Sequence, residues 1–454
     1  MRPACPAPSR LYGPLFAASL CIVPVAANAS DFRVTTTSDQ YDGTCDALCS
    51  LRDAVAAANR QGGSNRILLP AGTYFLTLPP QTGEDGEILD EDENRNGDLD
   101  IQGNLTVLGA ATEQTIINAS GLDRHFETLP GAQLQLDRLT LRNGRASFFG
   151  GAIENHGTTT VRRARIENNR SAGMFQPGTG GAIANFGVFN LHYSVVHANL
   201  SNAGEAFLGM GGGIFNAGTL LIRDSTISGN RASDDDDSGM GGGLYNQGSA
   251  DVARSTFTGN LASGSGSAIS NLGSIKLSNS TLSGNDDFYS RMGGVFSNGQ
   301  AYPPFSGTPQ ATLIHVTIAD NLGPGLYNFG KLRLRNSLIA GNIAVMDDSQ
   351  WSNCNNQGDK ASYQASGMLL GTGPGNCTAE RYIENQQTLT SLLEPLADNG
   401  GAPRTHALRP ASPALDGGIS SCSSHDQRSQ PRPQDGDGDG VAVCDLGAYE
   451  RSAP

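Results

Sequence analysis

GGGIFNAGTLLIRDSTISGN, residues 211–230, alternates short apolar segments with breaks at glycine and asparagine. The pattern recurs along the chain with small variations, in copies that begin at Gly150, Gly180, Gly211, Gly241, Gly266, Gly293 and Pro324. Successive copies place their first asparagine 25 to 31 residues apart. A period of this length is typical of repeat proteins, in which each repeat buries its apolar side only against its neighbours.

Aligning the copies superposes three columns of apolar residues, which predict three short strands per repeat. The columns are Ile153, Ile183, Ile214, Leu244, Ile269, Phe296 and Leu326; Val161, Leu191, Ile222, Val252, Leu277, Leu313 and Leu334; and Ile166, Val196, Ile227, Phe257, Leu282, Ile318 and Ile339. Glycine and asparagine suit the bends because both tolerate a left-handed backbone. We therefore predict an all-β fold, a right-handed parallel β-helix in which stacked asparagine side chains bond between coils.

The chain of 454 residues has a net charge of −14, which argues against a nucleic-acid partner. Residues 1–29 have the features of a signal peptide: Arg2 and Arg10, an apolar stretch, and a small-residue cleavage site that ends at Ala29. No later segment is long and apolar enough to span a membrane. We expect the mature chain to be secreted or to lie at the cell surface.

Six cysteines follow the predicted signal peptide, and they form three pairs that are local in sequence. Six cysteines allow 15 connectivities, of which we predict the local one for an oxidising compartment. The predicted disulfides are Cys45–Cys49, Cys354–Cys377 and Cys422–Cys444. We divide the mature chain into an N-terminal cap (30–64), a β-helix (65–345) and a disulfide-stapled C-terminal cap (346–454).

The N-terminal cap contains a predicted helix that starts after Ser50, because Ser50 and Asp53 have the spacing of a capping box. Leu51, Ala54 and Val55 share one face of this helix with Ala58. The open end of a β-helix exposes strand edges and apolar columns, so we expect this face to cover the first coil.

Both ends of the chain resemble known modules. DFRVTTTSDQYDGTCDALCSLRDAVAAAN (31–59) resembles the N-terminal signature of secreted bacterial proteins named for a Cys-Ser-Leu-Arg-Glu-Ala box, with Asp53 in place of glutamate. LADNGGAPRTHALRPASPALDGG (396–418) and DQRSQPRPQDGDGDGVAVCDLGAYE (426–450) resemble a Q-type choice-of-anchor module. The repeats between them are similar to those of polymorphic outer-membrane adhesins. The resemblance implies a pectin-lyase-like β-helix on or outside the cell, and no established chemistry.

Two segments have the alternating oxygen ligands and the following glycine of a calcium loop. One contains Asp435, Asp437 and Asp439, and the other contains Asp92, Asn94, Asn96 and Asp98. Neither has the glutamate expected at the twelfth position of an EF-hand, so distant carboxylates would have to complete each shell. Structural Ca²⁺ is the one cofactor that we predict, and solvated acidic loops are the alternative.

A local basic face is predicted on the strand that contains Ile222. Its candidate ligand-binding residues are Arg162, Arg163, His192, Tyr193, Arg223, Arg254, His315 and Arg335, with Lys276 and Arg333 nearby. Guanidinium groups suit carboxylates or sulfates spaced along a polymer. Phe215 and Tyr245 form an outward aromatic column that would suit sugar rings. An ordinary solvated face and stacking between coils are the respective alternatives.

We expect a non-catalytic protein that adheres to, or binds, an acidic polysaccharide or another cell-surface or host ligand. The first alternative is a polysaccharide lyase or hydrolase, in which His192, Tyr193 or His315 would act as the base and Arg223 would neutralise a uronate. The second alternative is a structural protein of a matrix or envelope. The sequence contains no complete catalytic set, and fold alone does not decide between these functions.

Overall fold

The structure of the chain is a computed structural model that describes residues 29–84, 88–89, 91–173, 177–203, 209–233, 239–287, 293–299, 307–344, 350–419 and 421–452. The predicted signal peptide, apart from Ala29, lies outside the described residues. None of the helices in the described ranges has the length and apolar character needed to cross a bilayer.

The coil around the repeat at Gly211 shows how each turn of the β-helix is built. Ile214–Asn216 lies on one face, Thr219–Arg223 on the next and Thr226–Ser228 on a third. Gly211 has φ +70°, and a Cβ on it would lie 2.4 Å from the Ile214 carbonyl oxygen, so this bend requires glycine. The three predicted strands of the repeat are all present.

The strands stack in columns that we number by their order in this coil, with the Ile214–Asn216 column as face 1. Face 1 comprises Leu99–Ile101, Phe126–Thr128, Ile153–Asn155, Ile183–Asn185, Ile214–Asn216, Leu244–Asn246, Ile269–Asn271, Phe296–Asn298, Leu326–Asn328 and Cys354–Asn356. Face 2 comprises Asp31–Arg33, Ser64–Leu69, Asn104–Gly109, Gln133–Asp137, Thr158–Arg162, Val188–His192, Thr219–Arg223 and Ser249–Ala253. Face 3 comprises Gly72–Phe75, Thr115–Asn118, Thr140–Arg142, Arg165–Glu167, Val195–His197, Thr226–Ser228, Thr256–Thr258 and Arg381–Ile383.

Four longer strands run through faces 2 and 3 together: Ser274–Ser283, Gln310–Ala319, Lys331–Ala340 and Ser362–Gly371. A fourth, short parallel sheet was not predicted, and it comprises Arg145–Ala146, Arg170–Gly173, Leu200–Ala203, Arg231–Ala232 and Leu261–Ala262. Two antiparallel pairs, Gln81–Thr82 with Ile88–Leu89 and Ile343–Ala344 with Gln350–Trp351, lie in the connecting segments.

The apolar columns predicted from the alignment are the core of the rod. Ile214 pairs in parallel register with Ile183 and Leu244, and Ile222 pairs in the same way with Leu191 and Val252. All six side chains are buried. The fold class is thus the predicted all-β, right-handed parallel β-helix.

Two asparagine ladders run along the interior of the rod. In the first, each side-chain amide donates to the Oδ1 of the asparagine one coil further on, at 2.6–2.7 Å, from Asn155 to Asn356. The second ladder runs from Asn169 to Asn385 with donor–acceptor distances of 2.7–3.1 Å. The predicted bonding between coils is therefore present at both asparagine bends.

The N-terminal helix α1, Leu51–Gln61, begins as predicted. The Ser50 hydroxyl accepts from the Asp53 amide, and the Asp53 carboxylate accepts from the Ser50 amide at 3.4 Å. Leu51, Ala54 and Val55 are buried in the same apolar cluster as Ile67 of the first coil. The helix therefore covers the end of the apolar column.

The C-terminal segment packs along the side of the rod. The three predicted cysteine pairs are disulfide-bonded in the structure. The Arg404 carbonyl accepts from the Thr256 hydroxyl at 2.7 Å, and the Ala448 amide donates to the Thr317 hydroxyl at 3.0 Å. Parallel pairing extends from Asp31–Arg33 to Arg381–Ile383, beyond the 65–345 boundaries expected for the coils.

We predict that Asn216→Ala lowers the free energy of unfolding by about 2–4 kcal/mol, measured by chemical denaturation. The change removes bonds to Asn185 and Asn246 in a fully buried position, and a buried polar group left unpaired costs about 1–3 kcal/mol. Thr219→Ala, at an exposed position of the same coil, should change stability by less than about 0.5 kcal/mol. Equal losses in the two variants would show that the ladder does not stabilise the rod.

Candidate functional site

The predicted basic residues divide between a strand position and a bend. Arg162, His192, Arg223 and Arg335 occupy the last outward position of face 2 and align in register through the intervening coils. One residue later the chain bends with a left-handed backbone. The predicted residues at this bend are Arg163, Tyr193, Arg254 and His315, with φ values of 46°, 49°, 48° and 51°.

Three of the predicted cations are paired with carboxylates of the same protein. Arg254 donates to both oxygens of Asp224 at 2.6 and 2.7 Å, and this hydrogen bonding raises the Arg254 pKa. Arg163 donates from Nε to Asp137 at 2.9 Å. Arg223 forms an ion pair of 2.8 Å with Asp251. These guanidinium groups are less available to a ligand than the sequence pattern suggested.

His192 lies between Arg162 and Arg223 and is partly buried. Burial lowers the His192 pKa, and the charges of Arg162 and Arg223 lower it further. Its imidazole is therefore neutral at neutral pH. Tyr193, at the bend, is 60% exposed.

His315 does not lie on an open face, contrary to the prediction. It is fully buried, because the segment around Ser423 and Cys444 covers this bend. The Ser423 amide donates to its Nε2 at 3.4 Å. Burial lowers the His315 pKa to about 2, with a further contribution from the positive charge of Arg432. The sequence pattern placed His315 outward correctly but could not show that a distant segment covers it.

We predict that His315 makes the protein less stable as the pH falls. Below the unfolded pKa of 6.5, the unfolded chain binds a proton that the folded chain excludes down to about pH 2. Between pH 6 and pH 4 the wild type should lose about 1.4 kcal/mol per pH unit more than His315→Asn. Asparagine is a matched replacement because Asn279 and Asn336 occupy equivalent bends. Parallel pH profiles of denaturation would contradict this prediction.

Phe215 and Tyr245 are buried, so the predicted aromatic binding column is not available to a ligand. Their rings stack on each other with centroids 5.8 Å apart and planes 13° apart. Met240 and Leu272 complete this apolar cluster. The rings point away from the central core as predicted, but the side chains of this cluster cover them.

Protein groups already bond many of the oxygen atoms of the loop at residues 92–98, although Asp98 lies within 4.8 Å of carboxylate oxygens of Asp100 and Glu127, a spacing that suits a cation. The backbone carbonyls of the loop point at the buried guanidinium of Arg52, which donates to Asn96 O at 3.0 Å, Gly97 O at 2.7 Å and Asp98 O at 3.0 Å. The Asn94 side chain bonds the backbone of Asp100. The Asp98 carboxylate is 2.5 Å from Arg124 Nε. A protein cation therefore holds the loop that the sequence assigned to Ca²⁺.

The loop at residues 435–439 fits a hard cation better. Oxygen atoms of Asp435 and Asp437 lie within 4.8 Å of each other and of a carboxylate oxygen of Asp416. Asp416 is the distant carboxylate that the incomplete loop requires. It also accepts from the Asp437 amide at 3.0 Å. The Asp439 carboxylate instead accepts from the Val441 amide at 2.8 Å.

We predict that Ca²⁺ stabilises the protein through Asp416, Asp435 and Asp437. A calcium concentration about 100-fold above the dissociation constant should raise the free energy of unfolding by about 2.7 kcal/mol. Asp437→Asn should abolish this increase, whereas Asp92→Asn in the other acidic loop should retain it. An unchanged unfolding curve with Ca²⁺ would contradict the calcium assignment.

A charged cluster at the N-terminal end of face 1 was not predicted. Asp100, Glu127 and Glu154 are outward, aligned neighbours on three successive coils, and all three are buried. Arg124 lies against them. The sequence signal was an acidic residue after each of Leu99, Phe126 and Ile153, but the early coils lack the glycine motif that guided the alignment.

The C-terminal half of face 2 carries a row of three cations on one strand, two of which, Arg333 and Arg335, belong to the predicted face. Lys331, Arg333 and Arg335 point outward from the strand Lys331–Ala340, with about 6.6 Å between alternate residues. Among the described residues, none of the three forms an ion pair with a carboxylate. Arg333 donates to Gln364 at 3.2 Å and Arg335 donates to Ser421 at 3.1 Å. We call Lys331, Arg333 and Arg335 the basic strip.

A groove of about 240 Å³ lies at Arg333 and Arg335 of the basic strip. Its polar lining comes from three neighbouring strands: Thr312, Arg333, Arg335, Gln364 and Ser366. Hydroxyl and amide groups on both sides of the guanidinium groups supply further donors to an anionic ligand. The groove is therefore an open part of the predicted basic face.

No family model and no curated protein matches the chain. The chain is similar to the pectate lyase Pel9A, at 15% identity and a TM-score of 0.47, over 94% of this chain and 98% of that chain. It is similar to the pectin methylesterase PemA from Erwinia chrysanthemi at 11% identity and a TM-score of 0.32, over 80% of this chain and 94% of that chain. It is also similar to a PL6 alginate lyase in complex with a trisaccharide, at 11% identity and a TM-score of 0.31, over 84% of this chain and 92% of that chain. At these TM-scores and identities the similarities carry no argument about this chain.

Proposed function

We propose that the protein binds acidic polysaccharide at the basic strip, outside the cell and without cleaving it. The observation that carries this proposal is a row of three outward cations without carboxylate partners among the described residues, in a chain whose net charge is −14. This row is positively charged although the protein as a whole is negatively charged. Binding of an anion at the row explains this local positive charge.

The chemistry of the groove favours carboxylate or sulfate groups. Arginine presents a planar fork that binds such groups through two parallel hydrogen bonds, and Lys331 adds a point charge. Thr312 and Gln364 flank Arg333 on the adjoining strands and suit the hydroxyl groups of a sugar. An extended polymer also suits a flat sheet face better than a compact ligand does.

A location outside the cell agrees with three features of the chain. They are the predicted signal peptide, the resemblance of both ends to modules of secreted bacterial proteins, and three disulfides, which persist in oxidising compartments. Binding without cleavage agrees with the pairing of Arg223 to Asp251 and the burial of His315, since both residues belonged to the catalytic alternative.

We predict that Lys331→Ala/Arg333→Ala weakens binding to polygalacturonate or alginate at least tenfold, measured by affinity electrophoresis or calorimetry. Both residues are exposed, so the fold should tolerate the change. Added NaCl should weaken wild-type binding because it screens exposed charges.

The matched control is Arg145→Ala/Arg170→Ala, which removes two exposed cations from the short sheet and should leave binding unchanged. Equal weakening in both variants, or equal binding of uncharged dextran, would contradict the proposal. The appearance of unsaturated-sugar absorbance during incubation would replace it with the lyase alternative.

A further inference from the structure

A second cleft lies near the N-terminal end of the rod, and the proposed function does not involve it. Its volume is about 340 Å³, within the range of small-molecule sites. One wall is apolar and consists of Ile88, Leu89, Phe148 and Phe149, and the other carries Asp123, Arg124 and Glu154. The Ile88 amide donates to the Ser147 hydroxyl at 2.9 Å, which joins the hairpin of Ile88 to the turn of the phenylalanines.

The polar wall is held rigidly by charge-assisted hydrogen bonds. Arg124 contacts Asp98 at 2.5 Å, Glu127 at 3.5 Å, and Glu154 through Nη1. The other Glu154 oxygen lies 2.9 Å from Nε2 of His156. The side chains of Arg124, Asp98, Glu127 and Glu154 are each at most 10% exposed. Groups held in this way need little reordering when a ligand binds.

The arrangement disfavours a metal ion in this cleft. Donor atoms of Glu127, Glu154 and His156 lie within 4.8 Å of one another, which is a suitable spacing for a cation. The guanidinium of Arg124, however, already contacts both Glu127 and Glu154. A metal ion would have to displace this buried cation or lie beside it.

The two walls together match an amphipathic ring. Phe149 is 38% exposed and Leu89 is 44% exposed, so both offer apolar surface to a ligand. A pyranose has a C–H face that packs on an aromatic ring and hydroxyl edges that bond carboxylate and guanidinium groups. Among the described residues that line the cleft, the two carboxylates of Asp123 and Glu154 outnumber the guanidinium of Arg124, and this excess negative charge repels uronates and sulfates.

We infer that this cleft binds an uncharged pyranose ring of a glycan. The site is separate from the basic strip in position and opposite to it in charge. A rod with both sites would contact two chemically different glycans, or two kinds of residue in a mixed polymer.

The test uses the full mature chain with cellotetraose, mannotetraose and chitotetraose as uncharged probes, followed by saturation-transfer NMR and calorimetry. At least one probe should bind, and Phe149→Ala should weaken that binding at least fivefold. Glu154→Gln should weaken it as well, and thermal unfolding checks that this variant is folded. Tyr193→Ala removes an exposed ring outside the cleft and serves as the matched control.

The inference would be overturned by no binding of any uncharged probe, by equal binding by wild type and Phe149→Ala, or by displacement of the probe by Ca²⁺. Trigalacturonate should not compete for the cleft, and competition that depends on Phe149 would also overturn it. Lys331→Ala/Arg333→Ala should bind the uncharged probe as wild type does. Failure here is therefore distinguishable from failure of the proposed function.

Discussion

The bonding of each asparagine to its counterpart one coil away is the constraint on which the rest of the structure depends. Asn216 and Asn230 lie at the two bends of one coil, and each is bonded to its equivalents above and below. These bends need an interior polar group because backbone amides and carbonyls at a corner have no partner within the strand ladder. The ladders satisfy them and hold the coils from Asn155 to Asn385 in the same register.

A common register determines what the outer surface can be. A residue at one outward position lies directly over the equivalent residue of the next coil, so like side chains form rows about 4.8 Å apart. Phe215 and Tyr245 form a row of stacked rings. An acidic row consists of Asp100, Glu127 and Glu154, and Arg124 pairs with Glu154. Charge is therefore concentrated in rows, and opposite charges on neighbouring coils pair wherever they fall within reach, as Asp224 and Arg254 do.

The two candidate binding regions lie where this pairing of opposite charges is incomplete. At the strand Lys331–Ala340, the adjoining strands offer Thr312 and Gln364 instead of carboxylates, so the cations face solvent. Near Glu154 the carboxylates among the described lining residues exceed the guanidinium of Arg124, and the strand Ile88–Leu89 together with Phe148 and Phe149 forms the apolar wall of a cleft beside them. A third region, the bend at His315, is not accessible to a ligand because the C-terminal segment covers it.

The sequence by itself determined the β-helix, the capping helix and the disulfide pairs. Each of these depends on residues at fixed local spacing: a repeat that pairs Ile214 with Ile183, a capping box at Ser50, and cysteines that are close in the chain. The fourth short sheet was missed because its buried positions hold alanine or serine and form no column of large apolar residues: Ala146, Ser171, Ser201, Ala232 and Ala262. Tertiary structure alone decided which outward residues stay accessible. Arg52 fills a loop 40 or more residues away, and the Ser423 segment buries a histidine 108 residues earlier. Periodicity shows which way a side chain points, but its exposure depends on distant segments that share no period with it.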